Sequence, residues 1–371
     1  MKSKIINPDA HLFFHYCNGV GPKRFSLIKK AFGGADKAFK ADKQQWLDLG
    51  FTPKLVENIF QHKMFFDIKQ TKQDLAKQNI HYISQEDQIF PKLLTEIADC
   101  PIGLFIKGSL VTTDIKAIAV VGTRKATSYG QEITQRFVTS LVSRGFTIVS
   151  GLARGIDGIA HKTALDIGGR TIAVMGCGLD VVYPPEHKVL AAQIAQHGAL
   201  ISEYPPQTKI NPGNFPARNR IISGLSLGVL VTEGSIQSGT NITAMMAVEQ
   251  NRDVFAIPGP ITSQMSQGPG KLIQMGAKLV LAVEDILSEL QIAGVDLDVD
   301  QKLNGQKSIT TPQFDDHNQE QIWQFLLSGN QHIDNISRSV RIPVTSIMTA
   351  LTMMELRGIV KNLGEGIWMA S

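Results

Sequence analysis

Cysteine is scarce in this chain of 371 residues: Cys17, Cys100 and Cys177 lie far apart and form no CxxC pair. An odd number without a framework argues against a disulfide-stapled secreted fold and for a reducing compartment. No run of about 18 apolar residues occurs, so no membrane-spanning helix is expected. The opening MKSKIINPDAHLFF lacks the apolar core and small-residue cleavage site of a secretory signal. These absences point to a cytoplasmic protein. The nine histidines and three cysteines show no ligand spacing, so no metal is expected. Internal repeats and low-complexity tracts are also lacking.

Two phosphate-binding signatures are missing. In G-x-G-x-x-G terms, Gly176 and Gly178 are followed by Val181 where the third glycine belongs, and Arg124 stands where Gly122 would need its second. No G-x-x-x-x-G-K-[ST] occurs either. An NAD enzyme and a P-loop ATPase are therefore disfavoured, and no cofactor is expected.

What is present suits a globular chain of two or three domains, with 43% hydrophobic and 19% charged residues. The net charge of +4 is unevenly spread. Residues 1–113 carry a net +5, residues 114–290 a net +2 and residues 291–371 a net −3. A polyanionic partner fits the first two parts better than the last.

Residues 1–80 read as a domain of short helices. Within it Asn18-Gly19-Val20-Gly21-Pro22-Lys23-Arg24 separates two helices and resembles a helix-hairpin-helix turn. Backbone N–H groups at such a helix start can meet a phosphate, although a plain tight turn explains the glycines equally well. Residues 81–113 form a mixed extension. From 116 to 290, short apolar runs at 117–121, 147–149, 171–175, 199–201, 228–232 and 254–257 alternate with helical segments, among them 131–143. That alternation predicts an α/β domain over 81–290, a parallel sheet covered on both faces, with ligands at the carboxyl ends of its strands. Residues 291–318 are polar and read as a linker. Residues 319–371 read as three helices and a strand pair, the third helix spanning 344–356 and Gly364-Glu365-Gly366 turning the hairpin; that order looks like a winged helix.

The informative residues fall after the strands. Gly122, Thr123 and Arg124 follow the first; the small glycine admits close backbone approach and the guanidinium matches a phosphate. Gly151 and Arg154 follow the second, and Gly176-Cys177-Gly178 the third. Phe215, Arg218, Asn219 and Arg220 form an aromatic–basic stretch, and Ser238, Gly239 and Thr240 close another loop. Several small-residue loops with arginines suit a chain of phosphates better than one compact cofactor.

The ordered set VVGTR (120–124), SGLARGID (150–157), GCGLD (176–180), YPPEH (183–187), FPARNRIISGLS (215–226), SIQSGT (235–240) and EQNRDVFAIPG (249–259) closely resembles the DprA/Smf family of DNA-processing proteins. The resemblance runs over about residues 85–290, with flanks like that family's SAM-like and winged-helix domains. It implies a Rossmann-like homodimer, without catalytic activity, that binds and protects single-stranded DNA and helps load the RecA recombinase during natural transformation. Carried over residue by residue, the expected DNA contacts are Gly122, Thr123, Arg124, Gly151, Arg154, Phe215, Arg218, Asn219, Arg220, Ser238, Gly239 and Thr240. Gly158, where alanine is expected, and Pro269-Gly270-Lys271 are small departures.

Alternatives accompany these assignments. Arg154 can be held locally by Asp157, and alternation sends one of Arg218 and Arg220 to a groove and the other to a carboxylate. Asp157 and His161, at i and i+4, read as a structural pair. Tyr183–His187 reads as a rigid turn, and Met245, Met246, Leu272, Ile273 and Met275 as core or dimer surface. Nucleotide phosphoribohydrolases resemble Ser238-Gly239-Thr240, but Thr243 replaces their acidic residue and only Glu233 is nearby. A double-stranded DNA regulator is the other class, against which the net −3 of residues 291–371 counts.

Overall fold

The computed structural model describes residues 8–292, 314, 316–326, 331–340, 342–364 and 366–370. Most of the expected linker and Glu365 of the expected hairpin turn lie outside them. The chain divides into two units, Met1–Leu297 and Asp298–Ser371.

The first unit opens with six helices between Pro8 and Lys77, the first two being Pro8–Tyr16 and Pro22–Phe32. Phe13, Phe14, Phe25 and Trp46 fill the space between them. A second apolar cluster crosses the expected boundary at residue 80. Leu12 and Leu75 pack with Phe105, Ala173 and Leu200, so helices and sheet share one apolar layer.

The sheet has nine strands: β1 His81–Ser84, β2 Gly103–Gly108, β3 Ala117–Val121, β4 Thr147–Ser150, β5 Thr171–Met175, β6 Ala199–Ser202, β7 Gly228–Val231, β8 Asp253–Ala256 and β9 Lys278–Leu279. Their order is β1-β2-β6-β5-β4-β3-β7-β8-β9. The six apolar runs of the sequence become β3 to β8, all parallel. Every residue of β3 is buried, as expected of a strand covered on both faces. Three further strands were not apparent from the pattern. β1 and β2 extend the sheet antiparallel through β6, and β9 has only two residues. The 131–143 helix starts earlier, as Ser128–Val142, because Thr127 caps it, its hydroxyl oxygen accepting the Gly130 N–H at 3.1 Å.

From β3 the chain steps outward through β4, β5 and β6, then returns to β7 on the other side of β3. The reversal falls between β3 and β7, and a crevice opens outside the carboxyl ends of the strands at such a point. The Thr123 N–H donates to the Glu233 carbonyl across it at 2.8 Å.

The second unit contains helix His317–Leu326, β10 Gln331–His332, helices Ile333–Val340 and Val344–Leu356, and the antiparallel pair β11 Val360–Gly364 and β12 Ile367–Ala370. The expected three helices and strand pair are present, with β10 added at the edge of β12. Ile322, Trp323, Ile336, Ile347, Leu351 and Trp368 form its core.

Candidate nucleic-acid interface

Arg124, Gly151, Ala153, Arg154, Tyr183, Pro184, Phe215 and Arg218 line one shallow cleft on the strand-end edge. Its enclosed volume is only about 20 Å³. Cofactor pockets run to hundreds of Å³, so this is a surface track rather than a chamber.

The loop after β4 forms the centre. Leu152 is fully buried with φ +57°, a left-handed conformation that costs a non-glycine residue about 1–3 kcal/mol. Its neighbours hold it there. The Gly151 and Ala153 N–H groups both donate to Asp157 Oδ2, at 3.1 and 3.3 Å, and His187 Nδ1 contacts the Leu152 carbonyl at 3.0 Å. Gly155 completes the turn at φ +71°, where a Cβ would lie 2.2 Å from the Thr123 carbonyl oxygen. The β3 and β4 loops therefore interlock, and Arg124 is left exposed at the switch point.

Arg218 lies beneath this loop and is only 4% exposed. Its Nη1 donates to the carbonyls of Gly151, at 2.7 Å, and Val174, and its Nε to Asn219 Oδ1 at 3.2 Å. A Cβ on Gly151 would come within 2.5 Å of the guanidinium, so glycine is required there for the arginine to fit. Burial pushes the Asp157 carboxyl pKa up, and the nearby Arg218 charge opposes that shift. Above the guanidinium, the Phe215 ring is half-buried, 6.0 Å from Arg218 Cζ and 5.6 Å from the Tyr183 ring.

Arg220 points away from the cleft. It is 7% exposed, with Nη2 donating to both Glu203 oxygens at 2.6 and 2.7 Å and Nε 3.0 Å from Asp99 in a second ion pair. The alternation in the sequence thus separates two inward environments, a carboxylate pair for Arg220 and a carbonyl-lined floor for Arg218. Asn219 is half-buried between them.

Two local expectations are corrected, and a third is narrowed. Arg154 is held by Glu186, not Asp157: its Nε and Nη2 both donate to that carboxylate. Asp157 and His161 serve separate partners. Thr171 Oγ1 donates to the Ile148 carbonyl at 2.8 Å, so it can only accept from His161 Nδ1, 2.7 Å away, which fixes the tautomer. Leu272 is buried in the sheet core, leaving Met245 and Met275 as exposed methionines of that region. Gly158 finds its reason here too, since a Cβ would sit 2.8 Å from the His187 ring.

Gly122 stands at the strand end, where a Cβ would strike Ile156. Ser238, Gly239 and Thr240 do not line the cleft. They start the Gly239–Glu249 helix on the β7 side, where Ser238 Oγ and Thr240 Oγ1 lie 2.8 Å apart. Glu233, fully buried, accepts the Thr127 N–H at 3.0 Å and the Thr127 hydroxyl at 2.6 Å, one on each carboxylate oxygen, and so holds the residue that caps the Ser128–Val142 helix. Ala153, Tyr183 and Pro184 line the cleft without having been singled out as contacts in the sequence, and Glu186 joins through Arg154. The signal available for Tyr183, Pro184 and Glu186 was their position in the YPPEH stretch after β5, one strand-end loop among several. Among the described residues no cluster of His, Cys, Asp or Glu could hold a metal ion, and no helix is long and apolar enough to cross a membrane.

Fold and cleft define a Rossmann-like α/β protein with an open, arginine-bearing cleft on its strand-end edge. The sequence pattern of the DNA recombination-mediator protein A family matches residues 81–291, and the chain belongs to that family. It is 48% identical to protein Smf of Escherichia coli strain K12 over 218 residues, 58% of each chain, so that match spans little more than half of the relative. The crystal structure of DNA processing protein A from Streptococcus pneumoniae is 37% identical, with a TM-score of 0.67 over 76% of this chain and 98% of that one. A structure of the Helicobacter pylori protein, described in terms of its single-stranded DNA binding mode, is 29% identical, with a TM-score of 0.51 over 57% of this chain and 97% of that one.

Proposed function

We propose that this protein binds and protects single-stranded DNA without catalysis and hands it to the RecA recombinase during natural transformation. The observation that carries the reading is the cleft itself: an exposed Arg124 for phosphate beside a half-buried Phe215 able to stack on an unpaired base. The single-strand binding mode of the Helicobacter pylori relative supports it, as does the recombination-mediator description of the family. Gly122, Thr123, Gly151 and Asn219 shape the loops around the cleft, and Ser238, Gly239 and Thr240 meet the DNA beyond it, on the β7 side. Arg218 builds the floor, Arg220 braces the helix, and Arg154 joins when freed from Glu186. Glu233 is buried and holds Thr127 rather than facing the cleft, which argues against a hydrolytic base, so nucleoside monophosphates should release no base.

We read residues 319–371 as a winged helix that contacts protein rather than DNA, on its acidic balance. We infer a homodimer as well, with the exposed Met245, Val248 and Met275 around a cleft of about 450 Å³ as its surface. Competition of single-stranded and duplex oligonucleotides of equal length tests the main reading. Single strands should win, with affinity falling steeply as salt rises; equal competition by duplex sinks it.

A further inference from the structure

The strand-end edge carries apolar side chains that neither the cores nor the cleft absorb. Ile210 follows β6, Ile236 follows β7 and Ile261 follows β8, with exposures of 42%, 55% and 95%. Single exposed aliphatic residues are ordinary on protein surfaces. One on each of three loops, all at the carboxyl edge of parallel strands, is a pattern that calls for a ligand.

The loops that bear them are tied down by their backbones. The Gly234 N–H donates to the Met265 carbonyl at 2.7 Å and the Gly268 N–H to the Gly234 carbonyl at 2.8 Å, joining the β7 and β8 loops. Asn241 Nδ2 holds the Ile236 carbonyl at 2.6 Å. The Gly178 N–H reaches the Thr208 carbonyl at 3.2 Å, anchoring the loop of Ile210 to the one after β5. Fixed backbones present these side chains outward, so little ordering cost remains for binding. Exposed Arg124 and Lys125 stand on the β3 loop between them, and Lys209 adjoins Ile210. From β6 to β8 is five strand spacings, about 24 Å.

We propose that Ile210, Ile236 and Ile261 are aliphatic contacts for unpaired nucleobases, extending the single-strand track along the strand-end edge on both sides of Arg124. The inference rests on the single-strand reading above. An edge that carries cations at Lys209, Arg124 and Lys125 and apolar tips at Ile210, Ile236 and Ile261 suits a polymer of phosphates and bases. Bases in a duplex open to such tips only where a step is unstacked, at a cost of a few kcal/mol, whereas an unpaired strand offers its bases without that cost. The cleft holds the middle of this interaction; the isoleucines lengthen it on both sides.

The test compares the full chain with its Ile236→Ser/Ile261→Ser variant on an oligothymidylate and on an abasic strand of the same length. The variant should bind the oligothymidylate about three- to tenfold more weakly, with the salt dependence of binding unchanged, because no phosphate contact is lost. On the abasic strand the two proteins should bind alike. Equal affinity for the oligothymidylate overturns the proposal, and so does an equal loss on the abasic strand. A change in solution mass or in melting temperature assigns the residues to assembly or folding and overturns it as well. Ile261→Ser alone, at a nearly bare position, keeps the test valid if the double variant misfolds, and should show part of the same base-dependent loss. If wild-type protein shows no preference for single strands, the functional reading fails; if it does and the variants match it, only the isoleucine inference fails.

Discussion

Arg154 and Glu186 face each other across the mouth of the cleft, the guanidinium donating from Nε to Oε1 and, at 3.1 Å, from Nη2 to Oε2. Both side chains are about half exposed. A phosphate entering the cleft must replace a carboxylate already seated on the arginine and meets that carboxylate's charge. Glu186→Gln should therefore raise single-strand affinity, by about threefold, and steepen its salt dependence, because exposed pairs of this kind are weak and easily exchanged. Fluorescence anisotropy titrations at two salt concentrations measure both. Weaker binding by the variant would mean that Glu186 organises the site rather than competing for it.

Arg124 and Phe215 should fail in different ways. Arg124→Ala removes one phosphate contact, so it should weaken binding at low salt and reduce the salt slope by about one unit. Phe215→Ala should cost about 1–3 kcal/mol of binding with the slope unchanged, as lost stacking does. Identical salt slopes for the two variants would contradict the division of labour.

Arg218 belongs to the fold before it belongs to any ligand. Arg218→Met strands the Gly151 and Val174 carbonyls and leaves Asp157 without its neighbouring charge. Stranding buried polar groups costs about 1–3 kcal/mol each, so a large drop in the urea midpoint is expected. Arg124→Ala, at an exposed position, should shift stability by no more than about 0.5 kcal/mol. Loss of binding in Arg218→Met without loss of stability would show that this guanidinium reaches the DNA.

Burial holds the His161 imidazole neutral, pushing its pKa down to about 3 from an ordinary 6.5. The unfolded chain takes up this proton first as pH falls. The stabilising effect is therefore complete above pH 6.5 and is lost on acidification toward 3. At pH 5 the loss from this group is about 2 kcal/mol. His15, pushed down to about 4 by burial, acts in the same direction. Urea midpoints at pH 7 and pH 5 should differ accordingly, and the difference should shrink in His161→Gln; an unchanged difference would remove His161 as its source.

Deleting residues 298–371 should leave single-strand affinity nearly intact, since the lined cleft lies wholly within the Met1–Leu297 unit. A loss of more than about tenfold, or ~1.4 kcal/mol, would show that the second unit binds DNA directly.

Much of this protein could be read from its chain. Apolar runs such as 117–121, buried on both faces, need no partner information to be recognised as parallel strands, because continuous burial leaves few other choices. Their alternation with helices fixed the α/β class. Glycine-rich strand ends then placed the site at one sheet edge, since parallel strands put all such loops on the same side. The resemblance carried by VVGTR, SGLARGID and FPARNR supplied the family.

Tertiary structure decided what the side chains in those loops do. Arg124, Arg154, Arg218 and Arg220 look alike in sequence, yet one is bare, one is held by Glu186, one props the floor and one is clamped by Glu203 and Asp99. Their partners lie 32 residues away for Arg154 and 67 and 17 for the buried two, separations across which no local periodicity operates. Likewise β1 and β2 join the sheet only because β6 offers them an edge. Sequence patterns report which residues avoid water; which charge meets which is set by distances that exist only once the chain has folded.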